Sequence, residues 1–157
     1  VIVSDMFEER LKLAERMGAD VLIDGKLPLE EKISRVNAVT FGVGPDVVVE
    51  AAGHPKAFEE ALAFVRRGGK LIEVGHYTDT GTVDIHPFFI CQKDVDIHGS
   101  WAYPPVIFKD ALSFLGKTAS PVSELISHKL PLESLGEGLN LAGTASARKV
   151  MVVPGSD

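Results

Sequence analysis

Along the chain, short β-branched runs alternate with longer stretches whose apolar residues recur at helical spacing. Val1 to Asp5 begins with Val1-Ile2-Val3 and predicts a buried strand. Phe7, Leu11, Leu13, Ala14 and Met17 then fall near one helical face, and Gly18 supplies the stop. Val21 to Ile23 predicts a second strand. Leu29 to about Val39 predicts a helix, with Pro28 near its first turn. The run Asp46 to Gly53 is apolar on both faces, as in a central parallel strand covered by helices on both sides. Pro55 to Arg67 predicts a helix carrying Phe58, Ala61, Leu62 and Val65 on one face. Gly68-Gly69 ends it, and Lys70 to Gly75 is the next strand.

This βαβαβαβ order predicts an α/β fold with a doubly wound parallel sheet. The second half is less regular. Val83-Asp84-Ile85-His86 reads as a short edge strand before Pro87, and Val95 to Gly99 as another strand. Val106 to Leu115 reads as a helix opened by Pro104-Pro105. Glu124 to Leu130, Leu132 to Leu141 and Lys149 to Val153 read as strand, helix and strand. No internal repeat, low-complexity tract or flexible linker is visible.

Composition narrows the class. The 157 residues are 45% hydrophobic and 24% charged, the balance of a globular domain that buries a core without staples. No stretch is apolar for long enough to span a membrane. Sixteen basic against 22 acidic residues leave a net charge of −6, which argues against nucleic acid as a partner. The one cysteine, Cys91, allows no internal disulfide and fits a reducing cytoplasm. No signal peptide is visible. The opening inside a β-branched run predicts a piece excised from a longer protein.

Asp5 is the first residue with chemical content. It is a lone acid at the carboxyl end of an apolar strand, where dinucleotide-binding domains place the acceptor of the adenosine ribose hydroxyls. An acceptor-only carboxylate can engage two vicinal hydroxyls and repels a 2′-phosphate, so it favours NAD over NADP. The same residue could simply cap the following helix. The glycine fingerprint that should precede such an acid would lie upstream of residue 1. Gly42-Val43-Gly44 is a decoy, because it precedes a strand instead of following one. Gly53 and Gly75 end strands, where glycine lets a flat ring or sugar approach the backbone, or where it serves an ordinary turn. None of His54, His76, His86, His98 and His128 has a ligand partner at metal-binding spacing. Cys91, in Phe88-Phe89-Ile90-Cys91, reads as a small buried hydrophobe. No serine sits in a G-x-S-x-G elbow.

Taken in order, several segments resemble the medium-chain, zinc-dependent alcohol dehydrogenases, particularly their threonine and polyol dehydrogenase branch. They are Val3-Ser4-Asp5 with Arg10 to Ala14 and Gly18-Ala19-Asp20; Gly44 to Gly53; Arg67 to Gly75; Ile97 to Ser100; and Ala147 to Val152. The resemblance implies a Rossmann-like sheet truncated at its N-terminal βα unit. Residues 1–122 would form part of the dinucleotide-binding domain, and 123–157 the return segment of the catalytic domain. It gives Asp5 the adenosine ribose and lays Arg10 against the adenine. Ala52 and Gly53 would lie along the cofactor. Val74-Gly75 and Gly99-Ser100 would offer backbone groups to the nicotinamide half, and Arg148 would approach the pyrophosphate.

The family's zinc ligands lie upstream, and Cys91 matches none of them. No catalytic or metal-binding residue is therefore expected in this chain. The parent is expected to pass a hydride from a small alcohol or polyol to NAD, while the chain alone is expected to be inactive. The family also implies a homodimer through antiparallel pairing of Val83, Asp84, Ile85 and His86 with their own copy. A zinc-free quinone or enoyl reductase and an S-adenosylmethionine-dependent methyltransferase fragment are the alternatives.

Overall fold

The computed structural model describes residues 1–144 and 146–155. Its elements, in chain order, begin with β1 (Ile2–Asp5), α1 (Glu8–Arg16), β2 (Val21–Asp24), α2 (Leu29–Val39) and β3 (Val47–Glu50). They continue with α3 (Pro55–Phe64), β4 (Lys70–Glu73), α4 (Pro87–Lys93), β5 (Asp96–Gly99) and α5 (Val106–Leu115). A 3-10 turn (Val122–Leu125) then leads into β6 (Ile126–Leu130). A second 3-10 turn (Leu132–Ser134) leads into α6 (Leu135–Ala142), followed by β7 (Lys149–Val152). All strand pairings are parallel: β1 with β2, β3 with β4, β4 with β5, and β6 with β7. Helical crossovers between parallel neighbours make this a Rossmann-like α/β fold.

The chain divides into two compact units, residues 1–26 with 108–157 and residues 27–107. In the first, α1 packs on β1 and β2, and α6 on β7. Leu13, Ile23 and Ala147 are buried there. Gly138 lets α6 lie close to its strands, since a Cβ would stand 3.3 Å from both Leu130 Cδ1 and Val150 Cγ1. Glu8 and Glu9 in the first turn of α1 and Arg16 in its last complement the helix dipole. Gly18, at φ +99°, takes the chain out of the helix, as the sequence predicts.

In the second unit the core is Ala61, Leu62 and Leu71, with Val48, Phe58, Ile90 and Val95 packed around it. Leu71 is 0% exposed. Burying such a side chain contributes roughly 1.5–3 kcal/mol. α3 opens on Pro55, with His54 Nδ1 accepting from the Lys56 backbone N–H at 3.2 Å. It stops at Phe64 rather than Arg67. Val65 turns to an extended conformation, and the Lys93 ammonium takes over the last carbonyls. Its Nζ donates to Leu62 O at 3.0 Å, Ala63 O at 2.8 Å and Val65 O at 3.0 Å. Burial pushes the Lys93 pKa down.

Several expectations need correction. Residues 83–86 form no strand; they run without a ladder into α4, a helix the sequence reading missed. No described strand lies alongside residues 83–86, so their backbone has no ladder to join. Cys91, on α4, is exposed rather than buried, because α4 buries none of its residues. β3 is not covered on both faces: Val48 and Glu50 face the packed side, while Val47 is 52% and Val49 58% exposed on the opposite face. Glu124 and Leu125 belong to the 3-10 turn Val122–Leu125, so the strand expected from Glu124 begins at Ile126. Val1 is exposed, so the first strand is only half-buried.

Candidate functional site

Parallel register sets the site in the second unit. Glu50 pairs with Glu73 and Glu73 with Gly99, so the carboxyl ends of β3, β4 and β5 stop level with one another. Ala52-Gly53, Val74-Gly75 and Gly99-Ser100 therefore follow three adjacent strand ends side by side. Open α/β sheets bind their ligands beyond such ends. Backbone bonds lock the line: Val74 N–H donates to Glu50 O at 3.0 Å and Ser100 N–H to Glu73 O at 2.9 Å.

The two glycines are required by their own contact. Gly53 sits at φ +68°. A Cβ on it would run into the Gly75 carbonyl oxygen and come within 3.0 Å of the Gly75 carbonyl carbon. A Cβ on Gly75 would strike Glu50 Oε2 and the Gly53 nitrogen, and lie 2.8 Å from Gly53 Cα. The two turns touch backbone to backbone, which only glycine permits. Thr80 Oγ1 donates to Gly53 O at 2.9 Å, bringing the following loop over the same turn.

Beneath these turns lie three residues to which the sequence reading gave no role. Glu50 is 3% exposed, and its Oε1 accepts from Ala52 N–H at 2.8 Å and Gly53 N–H at 3.0 Å. Glu73 Oε1 accepts from Gly75 N–H at 3.0 Å and His76 N–H at 3.2 Å, with His76 Nδ1 also at 3.0 Å. His76 Nδ1 stands 3.5 Å from Glu50 Oε2. The Oε2 atoms of Glu50 and Glu73 are buried without a hydrogen-bond partner among the described residues. Burial and the neighbouring Glu73 carboxyl push the Glu50 pKa up, against the pull of the Ala52 and Gly53 N–H groups. Burial also pushes Glu73 up, but hydrogen bonds with His76 and Glu50 outweigh it and leave the pKa lowered. The available signal was an acid inside an apolar strand run, where an ion is costly to bury.

The first unit holds the other expected residues. Asp5 ends β1, and its Oδ1 accepts from Phe7 N–H at 2.9 Å, turning the chain into α1. Asp5 does not cap α1, whose N-cap residue is Phe7 and has no side-chain cap; Asp5 Oδ2 lies 3.9 Å from Arg10 NH1. The Arg10 guanidinium stands 4.7 Å over the Phe7 ring. Arg148 Nε donates to Glu124 O at 3.1 Å, and its backbone N–H to Ser127 Oγ at 2.9 Å. Asp5, Arg10 and Arg148 thus share one unit, and the strand-end residues of β3 to β5 share the other.

Comparisons with known proteins fit this geometry. Residues 1–117 match the family described as "Zinc-binding dehydrogenase". The chain is 32% identical over 155 residues to erythritol/L-threitol dehydrogenase of Mycolicibacterium smegmatis, covering 98% of this chain and 42% of that enzyme. It is 31% identical over 156 residues to sorbitol dehydrogenase of Bacillus subtilis, covering 98% of this chain and 43% of the relative. An alcohol dehydrogenase structure from Thermotoga maritima superposes with a TM-score of 0.91 at 30% identity, over 98% of this chain and 43% of that one. A zinc-binding dehydrogenase structure from Sinorhizobium meliloti, bound to NADP, superposes with a TM-score of 0.85 at 25% identity, over 98% and 45%. The chain thus spans less than half the length of the proteins it matches. With the parallel sheet, the level strand ends and a family match over residues 1–117, the chain belongs to the zinc-binding dehydrogenases.

Proposed function

We propose that the protein carrying this chain is an NAD-dependent dehydrogenase of small alcohols or polyols, and that this chain holds the cofactor. The observation that carries the reading is the level line of Ala52-Gly53, Val74-Gly75 and Gly99-Ser100 at three adjacent strand ends. The similarity to polyol dehydrogenases over nearly the whole chain supports it.

The residues fit the cofactor. Gly53 and Gly75 bring their two turns into backbone contact, which sets their peptide groups side by side at the strand ends. Val74, Gly99 and Ser100 present peptide groups to the nicotinamide half. Asp5 Oδ2 accepts from the adenosine ribose and disfavours a 2′-phosphate. Arg10 lies along the adenine. Arg148 offers its terminal N–H groups to the pyrophosphate, for which a guanidinium fork is suited. NAD, when bound, supplies the hydride acceptor.

A zinc site does not fit this chain. The chain has one cysteine, and the one described grouping of ligand atoms, Glu50, Glu73 and His76, contains no thiol, so it is not the Cys, His and Cys or Glu set of the resembled family. Zinc ligands belong to the parent's upstream part, and the chain alone is inactive. Residues 1–122 supply part of the cofactor domain and 123–157 return to the catalytic domain.

The parent is cytoplasmic on this reading, supported by this chain having one cysteine and so no internal disulfide; no described helix is long and apolar enough to cross a membrane. It dimerises through Val83, Asp84, Ile85 and His86. Ile85→Pro should then lower the sedimentation mass of the folded protein to that of a monomer. The test of function is NADH formation by the intact protein with a panel of polyols. Asp5→Asn should narrow the preference for NAD over NADP by about tenfold, since one charge interaction of ~1.4 kcal/mol is removed. No turnover with any alcohol, or a wild-type preference for NADP, overturns the reading.

A further inference from the structure

We propose that Glu50 and Glu73 hold a single proton between their Oε2 atoms, and that this carboxyl pair positions the Gly53 and Gly75 turns as one unit. The proposal rests on the reading that those turns face the cofactor, and deepens it by naming what sets their geometry.

Register puts the two acids directly opposite each other at the ends of adjacent parallel strands. Two carboxylates so placed repel, and burying both as ions is costly. An ionised carboxylate only accepts hydrogen bonds. Each Oε1 is served by two backbone N–H groups, but both Oε2 atoms are buried and lack a partner. One proton turns one of these oxygens into a donor to the other, and both deficits vanish together. Gly75 has no Cβ to occupy that space; a side chain there would strike Glu50 Oε2.

The neighbouring charges do not replace the proton. His76, in the loop after β4, is the titratable group that meets the pair, and its Nδ1 is committed to Glu73 Oε1 at 3.0 Å. From β5 the register neighbour of Glu73 is Gly99, which has no side chain. On α3, Glu60 pairs with Lys32, and His54 accepts from the Lys56 backbone. The opposite pKa shifts of the two acids agree with this arrangement: Glu50 carries the proton and Glu73 the charge.

The sign of the linkage follows. Glu50 is raised, so between the ordinary carboxylate value and its folded value the native state binds more protons than the unfolded chain. Its contribution is present at the acid end of that window and is lost as pH rises through the folded value. Glu73 is lowered, so its contribution is present above the ordinary value and is lost as pH falls through its folded value. Ionising Glu50 pushes the two turns apart, and cofactor binding should weaken with it.

The experiment uses the intact protein with Glu50→Gln, Glu73→Gln and the double variant. A glutamine at either site imitates the protonated partner, because its amide donates to the facing oxygen while its carbonyl keeps the backbone bonds. Two glutamines oppose donor to donor. In wild type a carboxylic-acid infrared band should be present at neutral pH, and both single variants should lose it. Each single variant should melt within about 2 °C of wild type at neutral pH, and the double should fall at least ~4 °C below the sum of the singles. Glu50→Gln should gain on wild type as pH rises. The Kd for NAD should rise about threefold or more as the wild-type band disappears, and stay flat in Glu50→Gln. An absent acid band or an additive double variant overturns the proposal. So does a rise in melting temperature on adding zinc or calcium that wild type shows and both Glu50→Gln and Glu73→Gln lose, because a cation would then occupy the place of the proton. A band with non-additive variants but no NAD binding at any pH upholds the pair and overturns the cofactor reading.

Discussion

Between residues 27 and 107 the structure carries surface ion pairs such as Arg35–Glu31 and Lys70–Asp96, but it also takes charged groups out of water. Lys32 is 2% exposed and meets Glu60 at 2.5 Å, Glu50 sits under the strand-end turns, and Lys93 Nζ closes α3. In the unit formed by residues 1–26 and 108–157 the ion pairs lie on the surface. Lys12 meets Glu8 at 3.0 Å and Glu9 at 2.8 Å, and Arg16 meets Glu124 at 2.7 Å. The difference is one of solvent. A charge removed from water must be matched by a partner, so the inner groups specify geometry. An exposed pair competes with water and constrains little. The unit that holds buried charge is also the one whose strand ends line up as the candidate ligand edge.

The harshest way to break the comparison is to remove packing. Leu71→Ala should cost about 3–4 kcal/mol, because a fully buried leucine leaves a cavity in the core of its unit. Amide hydrogen exchange should lose protection in β3, β4 and β5, while β1, β2, β6 and β7 keep theirs. Leu13→Ala should give the reverse pattern. Equal loosening of both sets of strands by either variant would show that the two units open as one.

The elements that sequence reading found share a property: their evidence is local. α2 and α5 were legible to the residue because a proline or a Pro-Pro pair opens each and the apolar spacing is regular. Gly18, Gly53 and Gly75 were legible as stops. What escaped depended on partners distant in sequence. α4 opens on Pro87, and its apolar stretch suggests burial for Cys91, although Cys91, Phe88 and Phe89 are all exposed. The end of α3 is set by Lys93, thirty residues away. Glu50 and Glu73 stood in plain view within two apolar strands. Their role depends on register, which brings them face to face only once β3 and β4 pair. The candidate ligand edge was therefore half legible, its glycines by type and its acids only by structure.

The buried ion pair gives the next test. Lys32→Met removes the partner of Glu60 and should destabilise by about 2–3 kcal/mol, less than a fully enclosed pair because Glu60 is partly open to water. Adding Glu60→Leu should restore most of that loss, since a paired hydrophobic replacement removes both desolvation penalties. Urea unfolding of the two variants checks this. A double variant no better than Lys32→Met would mean that the methylene stem of Lys32, rather than its charge, is what α2 and α3 require.

The smallest effect is expected at Arg16 and Glu124, the surface counterpart. They lie 108 residues apart, and both Arg16 Nε and NH2 reach Glu124 Oε2, at 2.9 and 2.7 Å. The geometry is good, but both side chains stand well out in water. Ordering two long side chains there offsets most of the Coulomb gain. A double-mutant cycle of Arg16→Ala and Glu124→Ala should give a coupling below about 1 kcal/mol. It should shrink further as salt is raised from 0.05 to about 0.5 M, because screening acts freely on exposed charges. The Lys32–Glu60 coupling should barely move over the same range. Were the Arg16 coupling as large and as insensitive to salt as that of Lys32, burial would not be what separates the two units, and the contrast between their charges would have to be sought in the helices and turns that carry them.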